Sequence, residues 1–229
     1  MKQSVFITTL LVAALIVSAV IYFFLLPKFI QDGGYLVIAL IALSIMVITF
    51  TIERTLSLKK AQGKGSIMTF LKAIERTVEH AHFDEAIKLC DTQQGSLATI
   101  LKAGFVRYQE LQRAFEEATS LEMPLLEKNL IAIATIASVA TMVGLLGTVL
   151  GMIRSFQALA TTGAPDAVQL SLGISEALIN TAGGLIAAIT GIIAYNVFIN
   201  RVDTFTYQLD EAIYNIMQMV KVHEEGDEE

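Results

Sequence analysis

The sequence predicts an all-α integral membrane protein with four transmembrane helices, and three observations carry that reading. Of 229 residues, 54% are hydrophobic and only 17% charged, with a mean hydropathy of +0.62; soluble domains carry roughly a quarter charged residues. The apolar residues gather into four blocks: 4–26, 35–52 and 130–153 contain no Asp, Glu, Lys or Arg, and 172–198 contains only Glu176. Between the second and third blocks, apolar residues recur three and four apart, the period of an amphipathic helix. A helix needs about 20 apolar residues to cross roughly 30 Å of hydrocarbon. Three blocks reach that length, and 35–52 is just adequate.

The first block follows Lys2 and could be read as a signal peptide. Its apolar run is too long for such a segment, and it ends in bulky Tyr22, Phe23, Phe24, Leu25 and Leu26, where a cleavage site wants small residues. It is therefore expected to be a retained membrane helix. A tight turn over 27–34 leads to the second crossing. Both of these crossings are rich in Leu, Ile, Val and Phe and are expected to face lipid. Residues 53–128 form the one sizeable polar region, with eleven basic and eleven acidic residues, so no basic face offers itself to nucleic acid. Ile67, Phe70, Leu71, Ile74 and Val78 make a helical stripe. Ala86, Ile87 and Leu89, then Leu97, Ile100, Leu101 and Phe105, continue it. Gly63, Gly65 and Ser66 punctuate its start, and 91–95 breaks it. The last helix, from about Glu110, is expected to run into the third crossing with a bend at Pro124.

The fourth block continues as a stripe of Phe205, Leu209, Ile213, Ile216, Met217 and Val220. This makes a rod of about 50 residues, roughly 75 Å long. Its far half should pack against the 53–128 helices or a neighbouring copy. The tail residues Glu224, Glu225, Asp227, Glu228 and Glu229 contribute much of the net charge of −6 and read as a solvated run. The chain thus divides into a membrane hairpin (1–52), a helical region (53–128), a second transmembrane pair (129–199) and a terminal helix with its acidic tail (200–229).

Lys and Arg near helix ends set orientation. Lys2, Arg54, Lys59, Lys60, Lys64, Lys128 and Arg201 fall on one side and only Lys28 and Arg154 on the other. Both termini and the 53–128 region are therefore expected to be cytoplasmic, with 27–34 and a loop over 155–171 facing outward. Tyr22, Phe23, Phe24, Phe29 and Tyr35 cluster at the outer turn, as aromatic residues do at headgroups. The lone Cys90 rules out an intramolecular disulfide and reads as a small buried residue.

The third and fourth crossings hold the candidate site. Ala137, Thr141, Gly144, Thr148, Gly151 and Ser155 share one face of the third. Ala177, Thr181, Gly184, Ala188 and Gly191 share one face of the fourth, widened by Asn180, Gly183, Ala187, Thr190 and Ala194. In lipid, small residues let helices approach closely, which is the ordinary reading of Gly144, Gly147, Gly151, Gly183 and Gly184. The threonines have two readings, a polar wall or back-bonding to a carbonyl one turn earlier. Thr148 is about six residues inside its helix end and Thr181 about eight, roughly 9 and 12 Å deep, so the two could share a cavity. Glu176 lies near the outer mouth, where it is either functional or snorkelling to the surface. No titratable side chain sits near mid-bilayer in any crossing, although proton relays normally need one. If protons cross, a second polypeptide must supply the carboxylate. Gly63-Lys64-Gly65-Ser66 lacks phosphate-loop spacing, and His80 and His82 do not share a helix face. No metal, cofactor or enzymatic chemistry is expected.

These segments resemble the MotA/TolQ/ExbB proton channel family, closest to its ExbB/TolQ branch. The carriers are Gly144-Leu-Leu-Gly-Thr-Val-Leu-Gly-Met-Ile153 with Ser155-Phe156, then Ile174-Ser-Glu-Ala-Leu-Ile-Asn-Thr-Ala-Gly-Gly-Leu-Ile-Ala-Ala188 and Ala194-Tyr-Asn-Val-Phe198. The resemblance implies a stator-like unit of the bacterial inner membrane. Five copies would form a ring around two copies of an ExbD/TolR-like single-span partner bearing a transmembrane Asp. It implies Thr148, Thr181 and Glu176 as the proton pathway and Asn196 at the cytoplasmic exit. Thr141, Gly144, Gly147, Gly151, Gly184 and Ala188 would line or closely pack the pore. A TonB- or TolA-like transducer would carry force to the outer membrane. TonB-dependent transport is the leading expectation. TolQ-type envelope maintenance, a MotA-type motility stator and a plain four-helix scaffold are the alternatives. Thr141 and Thr190 stand where the family often has proline, and the extra N-terminal helix departs from the three crossings usual in the ExbB/TolQ branch.

Overall fold

The computed structural model describes residues 2–80, 82–162 and 167–227. They form α1 (Lys2–Phe24), α2 (Lys28–Gln31), α3 (Leu36–Gln62), α4 (Ile67–Glu79), α5 (Phe83–Gln93), α6 (Ser96–Val106), α7 (Leu111–Glu127), α8 (Leu130–Thr162) and α9 (Ala167–Asp227), with a 3-10 turn at Tyr108–Glu110 and, among the described residues, no strand. Four of the helices are long and apolar enough to cross a membrane. The contacts divide the chain into two compact units, Met1–Ile52 with Asn129–Val197, and Glu53–Lys128 with Phe198–Glu229.

In the membrane-spanning unit, most hydroxyl groups with described bonds are absorbed by their own helices. Ser18 donates to the carbonyl of Leu15 at 2.9 Å, Ser44 to Leu40 at 2.9 Å, Thr49 to Ile45 at 2.8 Å and Thr51 to Val47 at 2.7 Å. Such back-bonding lets a polar residue sit in hydrocarbon without a partner from elsewhere. Helix α1 ends before Pro27, whose N–H is missing. Its last carbonyls are closed by Gln31, which donates to Tyr22 O at 3.1 Å and Leu26 O at 2.9 Å. Tyr22 returns a bond to Gln31 O at 2.9 Å and is buried, whereas Phe23, Phe24, Phe29 and Tyr35 are exposed. One of the five expected interfacial aromatics thus turns inward.

The two N-terminal crossings divide on the lipid-facing expectation. Among its described side chains, helix α1 buries a narrow stripe, Ala14, Ser18 and Tyr22, and leaves most of its surface open. Helix α3 buries Val37, Leu40, Ala42, Met46, Val47 and Phe50, and Leu40 and Val47 lie against Gly183 and Gly191 of α9. Leu and Val are equally at home against lipid and against a glycine-bearing helix, so composition does not separate the two.

The outer loop expected over 155–171 is largely helical: α8 continues to Thr162 and α9 begins at Ala167. The junction before the third crossing also differs. Pro124 lies within α7, which ends at Glu127; Lys128 is extended and Asn129 adopts φ 65°. Asn tolerates this left-handed conformation, and Asn129 O accepts from Ile133 N at 3.2 Å to start α8. Arg54, almost fully buried, donates to Leu125 O at 3.4 Å in the last turn of α7, where carbonyls lack intrahelical partners.

In the second unit, α4 to α7 pack successively around Phe70, Leu71, Ile74, Val78, Leu97, Ile100, Leu101 and Phe105, as the periodicity anticipated. From α9, Phe205, Leu209, Ile216 and Val220 are buried in the same unit, and Asn215 donates to Glu75 at 3.2 Å. Gly63 and Gly95, at φ 76° and 97°, bring two turns together, with Lys64 N donating to Gln93 O at 2.9 Å. Ala86 and Cys90 point inward, while Ile87 and Leu89 are only half-buried.

Burial pushes the Cys90 thiol up to about 12. Its share of stability is present below the unfolded thiol's value, and is lost as the pH rises from there through the folded one. At pH 8 the folded protein should alkylate at Cys90 about a thousandfold more slowly than the denatured chain. Equal rates, measured by mass spectrometry, would contradict the buried placement.

Candidate functional site

The site is built on the seam between α8 and α9, which run antiparallel with almost no side-chain atoms between their backbones. A β-carbon on Gly184 would lie 2.7 Å from Ala140 O and 2.9 Å from Gly144 Cα. One on Gly147 would lie 2.2 Å from Asn180 Cβ, and one on Gly151 2.5 Å from Gly173 O. Toward one end, Gly191 meets Ala137; toward the other, Ser155 donates to Leu170 O at 3.2 Å. Gly144, Gly147, Gly151, Gly184 and Ala188 are all buried by this packing.

The seam also settles which way the remaining side chains turn. Asn180 and Gly183 face the N-terminal hairpin, through Gly33 and Leu40. Thr181 follows Asn180, and Thr148 follows Gly147, the residue opposite Asn180. Each step turns about 100°, and because the helices are antiparallel the two turns have opposite sense. Both threonines therefore come to the same face of the pair, away from α3. Each is partly exposed. Thr162 lies fourteen residues beyond Thr148 and Ala167 fourteen before Thr181, so the two stand at equal distances from the helix ends, about 21 Å. These distances to the helix ends exceed 9 and 12 Å because both helices continue past the apolar blocks.

Both hydroxyls are back-bonded. Thr148 donates to Leu145 O at 2.6 Å, and Thr181 to Ala177 O at 3.1 Å with Gly144 O at 3.5 Å. Thr141, half-buried, donates to Ala137 O at 3.4 Å. A hydroxyl whose proton is committed in this way still has lone pairs. It presents itself outward as an acceptor. Back-bonding and a polar wall are therefore compatible readings.

Glu176 does not snorkel. It is 7% exposed and ion-paired with Arg154 of α8. It sits beside Gly34, on the α3 side of the seam and away from the threonine face. Asn180, fully buried, donates to Gly33 O at 2.7 Å and to Glu176 O at 2.9 Å. The fold thus brings Thr148 and Thr181 together and turns Glu176 to the opposite side. Asn196 is exposed farther along α9. Arg154 was legible only as a topology exception, because a partner 22 residues away on another helix leaves no periodic signal. Asn180, four residues after Glu176, did carry one.

Comparison with known proteins bears directly on this pair of helices. The model of the MotA/TolQ/ExbB proton channel family matches residues 91–211, more than half of the chain. The chain belongs to that family. Over 91 residues it is 44% identical to an ExbB-like biopolymer transport protein of Synechocystis sp., covering 39% of this chain and 43% of that one. Over 117 residues it is 40% identical to the Tol-Pal system protein TolQ of Pseudomonas aeruginosa, covering 44% and 51%. It is also 40% identical over 88 residues to the biopolymer transport protein ExbB of Pseudomonas putida, covering 38% and 27%. The matched segments span about half or less of these relatives. The chain is thus a multi-helix membrane protein of a proton channel family.

The seam predicts opposite outcomes for neighbouring glycines. Alanine gains up to about 1 kcal/mol of helix propensity over glycine. At Gly184 the new methyl meets backbone, so Gly184→Ala should destabilise the membrane unit by about 2 kcal/mol net. At Gly183 it meets only Leu40 Cδ1, at 3.3 Å, so Gly183→Ala should lie within about 1 kcal/mol of the parent protein. Thermal unfolding in detergent checks both. Equal tolerance at the two positions would contradict the seam.

Proposed function

We propose that this chain is the proton-conducting subunit of an ExbB/TolQ-type complex in a bacterial inner membrane. The observation that carries the reading is the shared face of Thr148 and Thr181, half-open in the single chain and facing away from Glu176 and Arg154, the charged pair of these segments. Two back-bonded hydroxyls there offer acceptor oxygens, and a protonated carboxyl is the matching donor. A chain with no mid-membrane acid of its own therefore takes that acid from a partner. The partner of this reading is an ExbD/TolR-like single-span subunit with a transmembrane Asp. A ring of five copies would enclose two such partners, and the ring turns as protons pass. Thr141 extends the hydroxyl face, Glu176 is the acid of the outer mouth and Asn196 stands at the cytoplasmic exit.

Both termini lie in the cytoplasm in this scheme, as the excess of Lys and Arg on that side favours. Force is handed to a TonB- or TolA-like transducer, and the leading task is TonB-dependent outer-membrane transport. Relatives named for biopolymer transport and for the Tol-Pal system both support the branch, which keeps TolQ-type envelope maintenance as the second reading.

The test is the double variant Thr148→Val/Thr181→Val, reconstituted with an ExbD/TolR-like partner in proteoliposomes. Proton flux should fall about tenfold, the factor that roughly 1.4 kcal/mol gives, while the complex assembles normally. The protein alone should conduct nothing above background. Unchanged flux with intact assembly would favour a structural scaffold.

A further inference from the structure

Away from the threonine face, one polar cluster in the membrane-spanning unit draws on three separate segments. Glu176 of α9 pairs with Arg154 of α8, and Asn180 of α9 donates to Gly33 O in the turn between α2 and α3. The turn is shaped to receive them. Gly34 adopts φ 72°, and a β-carbon there would lie 2.7 Å from Glu176 Oε1 and 3.5 Å from Arg154 Nη1. At Gly33 it would lie 2.7 Å from Ile179 Cγ2 of α9. Only glycine lets the turn come this close. The turn is in its own right tied to α1 through Gln31.

The burial within the cluster is uneven. Glu176 and Asn180 are enclosed, whereas the Arg154 side chain is 57% exposed. A buried carboxylate needs its counter-charge in place, so Arg154 determines where the Glu176 side chain can sit, while Asn180 bonds the Glu176 backbone carbonyl one turn earlier in α9. A carbonyl at membrane depth also needs a donor, and Asn180 supplies one to Gly33.

We propose that Arg154, Glu176 and Asn180 form a clasp that fastens the turn end of the α1–α3 hairpin to the α8–α9 pair. Arg154 and Asn180 act as positioning residues: Arg154 holds the Glu176 carboxylate against the glycine turn, and Asn180 ties α9 to that turn through Gly33 O. The hairpin and the channel helices then move as one body. This goes beyond the proton-channel reading, which it needs only for its flux readout.

The measurement is a spin-label distance in lipid nanodiscs between cysteines placed at two exposed positions, Tyr35→Cys and Phe156→Cys, in a Cys90→Ser background. The parent and Arg154→Lys should give a narrow distribution. Arg154→Gln, Glu176→Gln and Asn180→Ala should each broaden it, and Arg154→Gln with Glu176→Gln should be no broader than either alone, since both remove the same interaction. With an ExbD/TolR-like partner present, Arg154→Gln should lower proton flux about tenfold, and Arg154→Lys should restore it. A distribution that stays narrow in Arg154→Gln and Asn180→Ala overturns the clasp, whatever the flux does. A parent protein without flux counts against the channel reading alone, because the distance still decides the clasp. Asn180→Ala changes no charge and serves should the charge variants fail to fold.

Discussion

The close approach of α8 and α9 governs the rest of the membrane-spanning unit. In lipid no hydrophobic force draws two apolar helices together, so association rests on packing and on the few polar contacts available. Here glycine faces glycine and carbonyl oxygen across the seam, and a single added methyl at Gly147, Gly151 or Gly184 would overlap its neighbour. Contact this intimate leaves each helix one rotation about its own axis. Once that rotation is fixed, every other side chain is assigned a direction. Thr148 and Thr181 go to one side, and Arg154, Glu176 and Asn180 go to the other.

That division separates two kinds of chemistry. The threonine face is uncharged, and its hydroxyl protons are already committed to carbonyls of their own helices. It can accept hydrogen bonds without any charge having to be desolvated, which suits a passage for a carboxyl group brought from outside. The opposite face holds a charge pair and an amide that donates to two backbone carbonyls while its own buried oxygen finds no partner among the described residues. The second unit follows the rules of soluble helical domains instead. Aromatic and aliphatic side chains fill its interior, with Phe105 and Phe115 meeting edge to face at 6.3 Å. Its ion pairs, such as Arg107 with Glu117 at 2.9 Å, are exposed and add little.

Much of this was readable before any coordinates. Four charge-poor blocks announce four membrane-capable helices, and the spacing of Gly144, Thr148, Gly151, Thr181 and Gly184 announces two small-residue faces. What escaped was tertiary. Apolarity marks what lies in hydrocarbon and says nothing of where a helix stops, so the continuation of α8 from Ser155 to Thr162 reads as loop in the sequence. Leu40 and Val47 read as lipid-facing because lipid and a packed helix make the same demand on a side chain. Pro124 reads as a bend in a helix running on into the third crossing, yet the helix stops at Glu127 and the chain turns at Asn129, the residue able to take φ 65°. The partner of Glu176 could not be read at all, since Arg154 reaches it only through the fold. Family resemblance had grouped Glu176 with the threonines by function, and the seam shows them on different sides.

The direction of Thr148 and Thr181 decides the channel reading, and cysteine accessibility in the membrane tests it most directly. Single cysteines at 148 and 181, in a Cys90→Ser background, would be exposed to a small charged thiol reagent with and without an ExbD/TolR-like partner. Both should react in the chain alone and become protected together once the partner is bound. Cysteines that ignore the water-soluble reagent in both states, while reacting with a lipid-soluble one, would turn the threonine face toward lipid and contradict the central claim.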